Sequence, residues 1–229
     1  MGAERTASQA IGRLFAALIA LLAGGAVLIE IALVIAAVSA HGRSWLDGIV
    51  TALGFFTVLT NAIVAVIAGA CAIRGEAGTL LTRPATRAAV MVYILVVGVI
   101  FAVLLAGLRP LAGVHLVVDD VMHRVVPVLF VLYWLFFVPK GTLRWREPLF
   151  WLIYPALYVA YSLFYGAATG RYMYPFADVN ALGYPRALMN AAVILAFFLA
   201  LGLATVFLDR RLARRAGQDP APEPRTGLE

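Results

Sequence analysis

Apolar residues in this chain fall in long uninterrupted runs rather than in alternating or amphipathic stripes. Six runs can be drawn, near residues 12–40, 47–73, 86–108, 116–138, 148–167 and 185–208. Each is close to or above the roughly 20 residues that a helix needs to cross a hydrocarbon core of about 30 Å. The pattern predicts an all-α fold, a polytopic six-helix transmembrane bundle forming a single domain over residues 1–208. Residues 209–229 read as a tail, basic at first ("RRLARR") and then Pro-rich, polar and disordered ("GQDPAPEPRTGLE"). The first run follows Arg5 and Arg13 and ends near "AVSA", as a secretory leader would. It is much longer than the roughly 7–15 apolar residues of such a leader, so a retained helix is expected.

Composition agrees with the pattern and adds an orientation. At 63% hydrophobic and 13% charged residues, the chain lies far outside the soluble globular range. Basic residues alternate by loop: Arg5 and Arg13, then Arg74, Arg83 and Arg87, then Lys140, Arg144 and Arg146, then the arginines from 210 to 215. The positive-inside rule therefore puts both termini in the cytoplasm of a multipass plasma-membrane protein, and an even span count agrees. The same rule explains the net charge of +6 without a nucleic-acid partner; the "RRLARR" run reads as an anchor on anionic lipid. Cys71 is the lone cysteine, which excludes an internal disulfide and a thiolate metal cluster.

Polar residues inside the runs are few and fall at one depth. Span two, "ALGFFTVLTNAIVAVIAGA" from Ala52 to Ala70, keeps Thr57, Thr60 and Asn61 at spacings of three and four, hence on one helix face. A helix rises about 1.5 Å per residue. Thr57 therefore lies roughly 15 Å below the outer surface, and His123 of span four roughly 10 Å below it. Glu30 of span one and Asn190 of span six fall in the same outer half. Ionisable and amide groups in a bilayer normally face a bundle interior or a wet cavity, so these residues define a candidate site. Each also has a structural reading. Threonine bonds its own helix backbone, asparagine joins helices, and a carboxyl such as Glu30 can be buried in its neutral form. His41 and His115 sit in loops or at the interface and need no special role. Asp120 and His123 share a face, and Asp119 or Asp120 can orient the imidazole. One embedded histidine does not support a haem, and with carboxylates it is a weak zinc signal, so no metal or other cofactor is expected. Tyr154, Tyr158, Tyr161 and Tyr165 of span five form a continuous stripe, read either as packing or as the lining of a groove for an acyl chain. Pro127 and Pro155 can kink their helices and open such a groove.

With these residues in view the chain resembles a family, the androgen-induced and androgen-dependent TFPI-regulating membrane proteins and their bacterial relatives. The resemblance rests on "FFTVLTN" in span two, "MHRVVPVLFVLYWLFF" in span four, "WLIYPALYVAYSLFYG" in span five and "YMYPF" before span six, in that order over roughly residues 15–208. Animal members hydrolyse fatty acid esters of hydroxy fatty acids within the membrane, using a threonine and a histidine. By motif position the resemblance implies that these are Thr57, after Phe55 and Phe56, and His123, after Met122.

The expected chemistry is then acyl transfer to Thr57 with His123 as base, since a hydroxyl is a weak nucleophile until its proton is taken. Asn61 or Asn190 would donate to the oxyanion, with Glu30 and Asp120 in supporting positions. The expected partners are membrane lipids and a hydrophobic ester substrate. Two other readings stay open: a non-catalytic lipid-binding or transport protein using the same polar cavity, and a structural protein with an inert core. The oligomeric state is not legible.

Overall fold

The computed structural model describes residues 2–75, 78–108 and 110–217, with side chains from residue 6 onward. Among the described residues every regular element is helical and there is no strand. Among the described residues five segments are long and apolar enough to cross a membrane: Thr6–Ser39, Phe56–Arg74, Pro84–Leu105, Glu147–Thr169 and Val179–Arg215. Such helices fit a multipass membrane protein, because a helix satisfies its backbone polar groups internally where no water can. The chain divides into two compact units, Met1–Val138 and Pro139–Glu229.

The first unit is built on helix α1 (Gly2–Ser39), which packs along α2 (Trp45–Leu53) and α3 (Phe56–Arg74). The expected span 47–73 is therefore two helices, not one. Ser44 starts α2 with a capping box, its hydroxyl accepting from Asp47 N–H while the Asp47 carboxylate accepts from Ser44 N–H. At Gly54 and Phe55 the chain leaves the helix; Phe55 is extended (φ −85°, ψ 130°), and α3 begins at Phe56. Close packing of α1 on α2 depends on Gly48, where a Cβ would stand 2.7 Å from the Cα of Ile35. Helix α4 (Pro84–Ile100) has proline in its first turn, where the missing N–H is harmless, and runs on into a π turn at Phe101–Leu105.

The expected span 116–138 is helical from Val114 to Phe137 but is not among the five. Helix α5 (Val114–Asp120) passes through a π turn, Val121–Val125, into α6 (Val126–Phe137). Proline explains the change of winding. Pro127 has no N–H to give the His123 carbonyl four residues back, and its ring crowds that oxygen. The helix responds with a wider turn, in which Val126 N–H bonds the Val121 carbonyl instead. Gly98 of α4 leaves room beside the displaced oxygen: a Cβ there would lie 3.1 Å from both His123 O and Pro127 Cβ.

The second unit holds α7 (Glu147–Trp151), α8 (Ile153–Thr169) and α9 (Val179–Arg215). Asp178 caps α9, and Gly183 (φ 72°) just before Pro185 breaks its first turns from the rest. Helix α9 continues through Arg215, so the basic "RRLARR" run that begins the expected tail is part of the helix. Asp209 ties it to the chain before α7, accepting from the Leu143 N–H at 3.1 Å. Of the Pro-rich stretch expected to be disordered, Gly217 is a turn residue at the end of α9 and 218–229 lie outside the described residues.

Candidate functional site

The first unit gathers Glu30, Thr57, Asn61 and His123. Their packing floor is apolar: Ala26 and Val27 of α1, Val58 of α3, Val118 of α5 and Met122 of the π turn form one buried cluster. Thr57 stands in the first turn of α3 and is 8% exposed; Thr60 and Asn61 are fully buried.

Asn61 is the joint between the elements. Its Nδ2 donates to the Thr57 carbonyl at 2.9 Å, one turn back on its own helix, and to the Met122 carbonyl at 3.3 Å in the π turn. One amide group thus holds together the backbone of Thr57 and the residue preceding His123. Both hydrogen bonds leave from the amide nitrogen, which has two N–H groups to give. Its Oδ1 is buried without a protein partner.

His123 is held on two sides. Its ring stacks on Phe101, centroids 4.1 Å apart and planes 19° from parallel, so the two π turns meet through this pair. Its Nδ1 lies 2.9 Å from the Asp119 carbonyl and 3.2 Å from the Asp119 carboxylate. A carbonyl only accepts, so Nδ1 carries a proton and Nε2 is left as the basic nitrogen of the neutral ring. The orienting residue is Asp119; Asp120 turns to Arg124 and forms an exposed ion pair with it. Arg124 also lies over the Phe101 ring, 5.0 Å from its centroid. Glu30 is half-buried on α1, within electrostatic reach of His115, Asp119 and His123. Among the described residues no three His, Cys, Asp or Glu side chains are grouped to hold a metal. His41 bonds the Ala37 carbonyl at 2.8 Å at the end of α1.

The remaining candidates belong to the second unit. Asn190 donates to the Phe176 carbonyl at 2.8 Å, fastening α9 to the turn before it. The tyrosine stripe is real along α8: Tyr158, Tyr161 and Tyr165 touch in series at 6.0 and 5.9 Å between centroids. Phe101 and the bridge from Asn61 to the π turn are not anticipated by the sequence pattern. The position of Pro127, four residues after His123, is the available signal for that turn.

Fold and site together define a protein that is helical throughout its described elements, with several membrane-length apolar helices and a buried Thr57–Asn61 face bonded to the backbone beside His123. Comparison with family models, curated proteins and solved structures finds no match.

Proposed function

We propose that the chain is a six-span intramembrane hydrolase of lipid esters, with both termini cytoplasmic, related to the family its motifs resemble. The observation that carries the reading is the Asn61 amide, which ties the backbone at Thr57 to the backbone beside His123. A polar clamp of this kind inside an apolar unit holds a nucleophile and a base on neighbouring elements. The Thr57 hydroxyl attacks the ester carbonyl carbon while His123 Nε2 takes its proton. The tetrahedral intermediate collapses, the C–O bond to the alcohol breaks, and His123 returns the proton to the leaving oxygen. Water, activated in turn by His123, then cleaves the acyl-threonine to the free acid. Asp119 keeps the imidazole in the tautomer this requires. Negative charge on the intermediate is favoured by the positive end of α3, in whose first turn Thr57 stands. The tyrosine stripe of α8 is an aromatic surface suited to an acyl chain.

The test is labelling by a fluorophosphonate probe combined with hydrolysis of fatty acid esters of hydroxy fatty acids. Wild type labels and turns over; Thr57→Ala and His123→Ala do neither. Equal labelling of the variants, or no turnover of any lipid ester by wild type, defeats the hydrolase reading. Lipid flux in liposomes that persists in Thr57→Ala identifies a transporter instead.

A further inference from the structure

The first unit has a second polar region, and the proposed hydrolysis does not use it. A cavity of about 430 Å³ opens among the start of α1, the end of α3, the first turn of α4 and the end of α6. Its wall includes Arg87, Tyr133 and Cys71, which are 2%, 3% and 2% exposed. Its rim carries the exposed side chains of Gln9, Arg13 and Arg74. Three arginines line this space, and among the described residues no aspartate or glutamate does.

Arg87 is the unusual member. A guanidinium stays charged at any ordinary pH, and a buried charge is normally paired, because desolvating it alone is very unfavourable. Here its side-chain partner is the neutral Tyr133 hydroxyl, 3.4 Å from Nη1, while Nε is buried without a partner. Arg87 also lies in the first turn of α4, whose dipole adds positive potential rather than cancelling it. Arg13 does have compensation at the negative end of α3. Its Nε and Nη2 donate to the Ala72 and Ile73 carbonyls, each at 2.8 Å. The uncompensated charge is therefore that of Arg87, with Arg74 beside it at the mouth.

We infer that this cavity is an anion site that takes a phosphate group, the headgroup phosphate of an anionic lipid or free phosphate, against Arg87 and Arg74. Arginine suits a phosphate because its planar fork offers paired donors. A ligand there supplies the counter-charge that the protein's described side chains do not. The exposed Phe136 ring at the same cavity offers an apolar surface to a lipid tail.

The test uses the full chain in an uncharged detergent, followed by its thermal midpoint. Dihexanoyl phosphatidic acid is titrated against dihexanoyl phosphatidylcholine and inorganic phosphate. A saturable rise with phosphatidic acid, absent with phosphatidylcholine and weak with phosphate, supports the site and names a lipid headgroup. An equal rise with inorganic phosphate supports the site and names free phosphate. Arg87→Met weakens binding by about tenfold or more. Arg74→Gln, at an exposed position, weakens it by about threefold. No saturable shift in wild type, or unchanged affinity in both variants, overturns the inference. Glu76 follows the rim in sequence and lies outside the described residues, so Glu76→Gln is measured too. Affinity unchanged or raised supports the inference. A loss of stability equal to that of Arg87→Met, with no further loss in the double variant, makes Glu76 the partner and overturns it.

Discussion

The two polar regions of the first unit sit on the same helical runs and differ in what they leave unsatisfied. Helix α3 carries Asn61 at one and Cys71 at the other; α4 with its π turn carries Phe101 and Arg87; the α5–α6 run carries His123 and Tyr133. Along α3 roughly four turns, a rise of about 20 Å, separate Thr57 from Cys71. At the Thr57 end the deeply buried side chains are uncharged, and backbone carbonyls hold the Asn61 amide. At the Arg87 end a full charge is buried with a neutral partner. A neutral amide or hydroxyl is cheap to bury once hydrogen-bonded, whereas a guanidinium is not. The first arrangement leaves a neutral amide oxygen without a protein partner, a small deficit beside a buried charge. The second is incomplete and so calls for something from outside.

The largest test of this contrast is functional independence. Thr57→Ala or His123→Ala should lower ester turnover by about a thousandfold or more, as losing a nucleophile or its base does. Arg87→Met should leave turnover by the folded fraction within about twofold, because sites this far apart and sharing no partner act additively. Kinetics of the two single variants and the double variant check it; a strongly non-additive double variant would show that the regions are one device. Next in size is Gly98→Val. Its side chain enters the space now shared with the His123 carbonyl and Pro127, and overpacking of this kind costs about 1–3 kcal/mol. The midpoint of thermal unfolding should fall while affinity at the Arg87 cavity is unchanged.

Which parts of this are legible in the sequence follows from the kind of signal each leaves. The apolar runs announce long helices, since length and hydropathy are local properties. The spacing of Thr57, Thr60 and Asn61 announces a shared buried face. The break at Gly54–Phe55 is not legible, because the apolar residues on both sides mask it. Arg87 reads in the sequence as one of the loop charges that set orientation. Its burial depends on Tyr133, far along the chain, and no local pattern reports such a contact. Asp119 and Asp120 both remain candidates from spacing alone; in the structure each pairs with the residue four positions on, His123 for one and Arg124 for the other.

Asn61 gives an intermediate effect. Asn61→Leu removes two hydrogen bonds, but it also removes the buried unpartnered Oδ1 and keeps most of the volume. The cost should be about 1 kcal/mol, in line with hydrogen bonds between membrane helices. Asn61→Ala adds a cavity and should cost about 1–2 kcal/mol more. Both should lower probe labelling, because α3 and the π turn lose their joint, and chemical denaturation in mixed micelles orders the two.

The smallest effect is the sharpest for the geometry at His123. Asp119 and Asp120 are neighbours of the same charge, so any explanation by general field or net charge treats them alike. The structure does not: Asp119 meets the His123 Nδ1, and Asp120 meets the exposed Arg124. Asp119→Asn keeps the backbone carbonyl bond but replaces the carboxylate that steadies the protonated ring, so turnover should fall by about tenfold or more. Asp120→Asn breaks a surface ion pair and should shift stability by less than about 0.5 kcal/mol, with turnover unchanged. Raising the salt concentration should leave the Asp119→Asn defect in place, since that pair is mostly buried, and should erase whatever small effect Asp120→Asn has. Equal defects in the two variants would mean that the acids act only through their charge, and the orienting role of Asp119 would fall with that result.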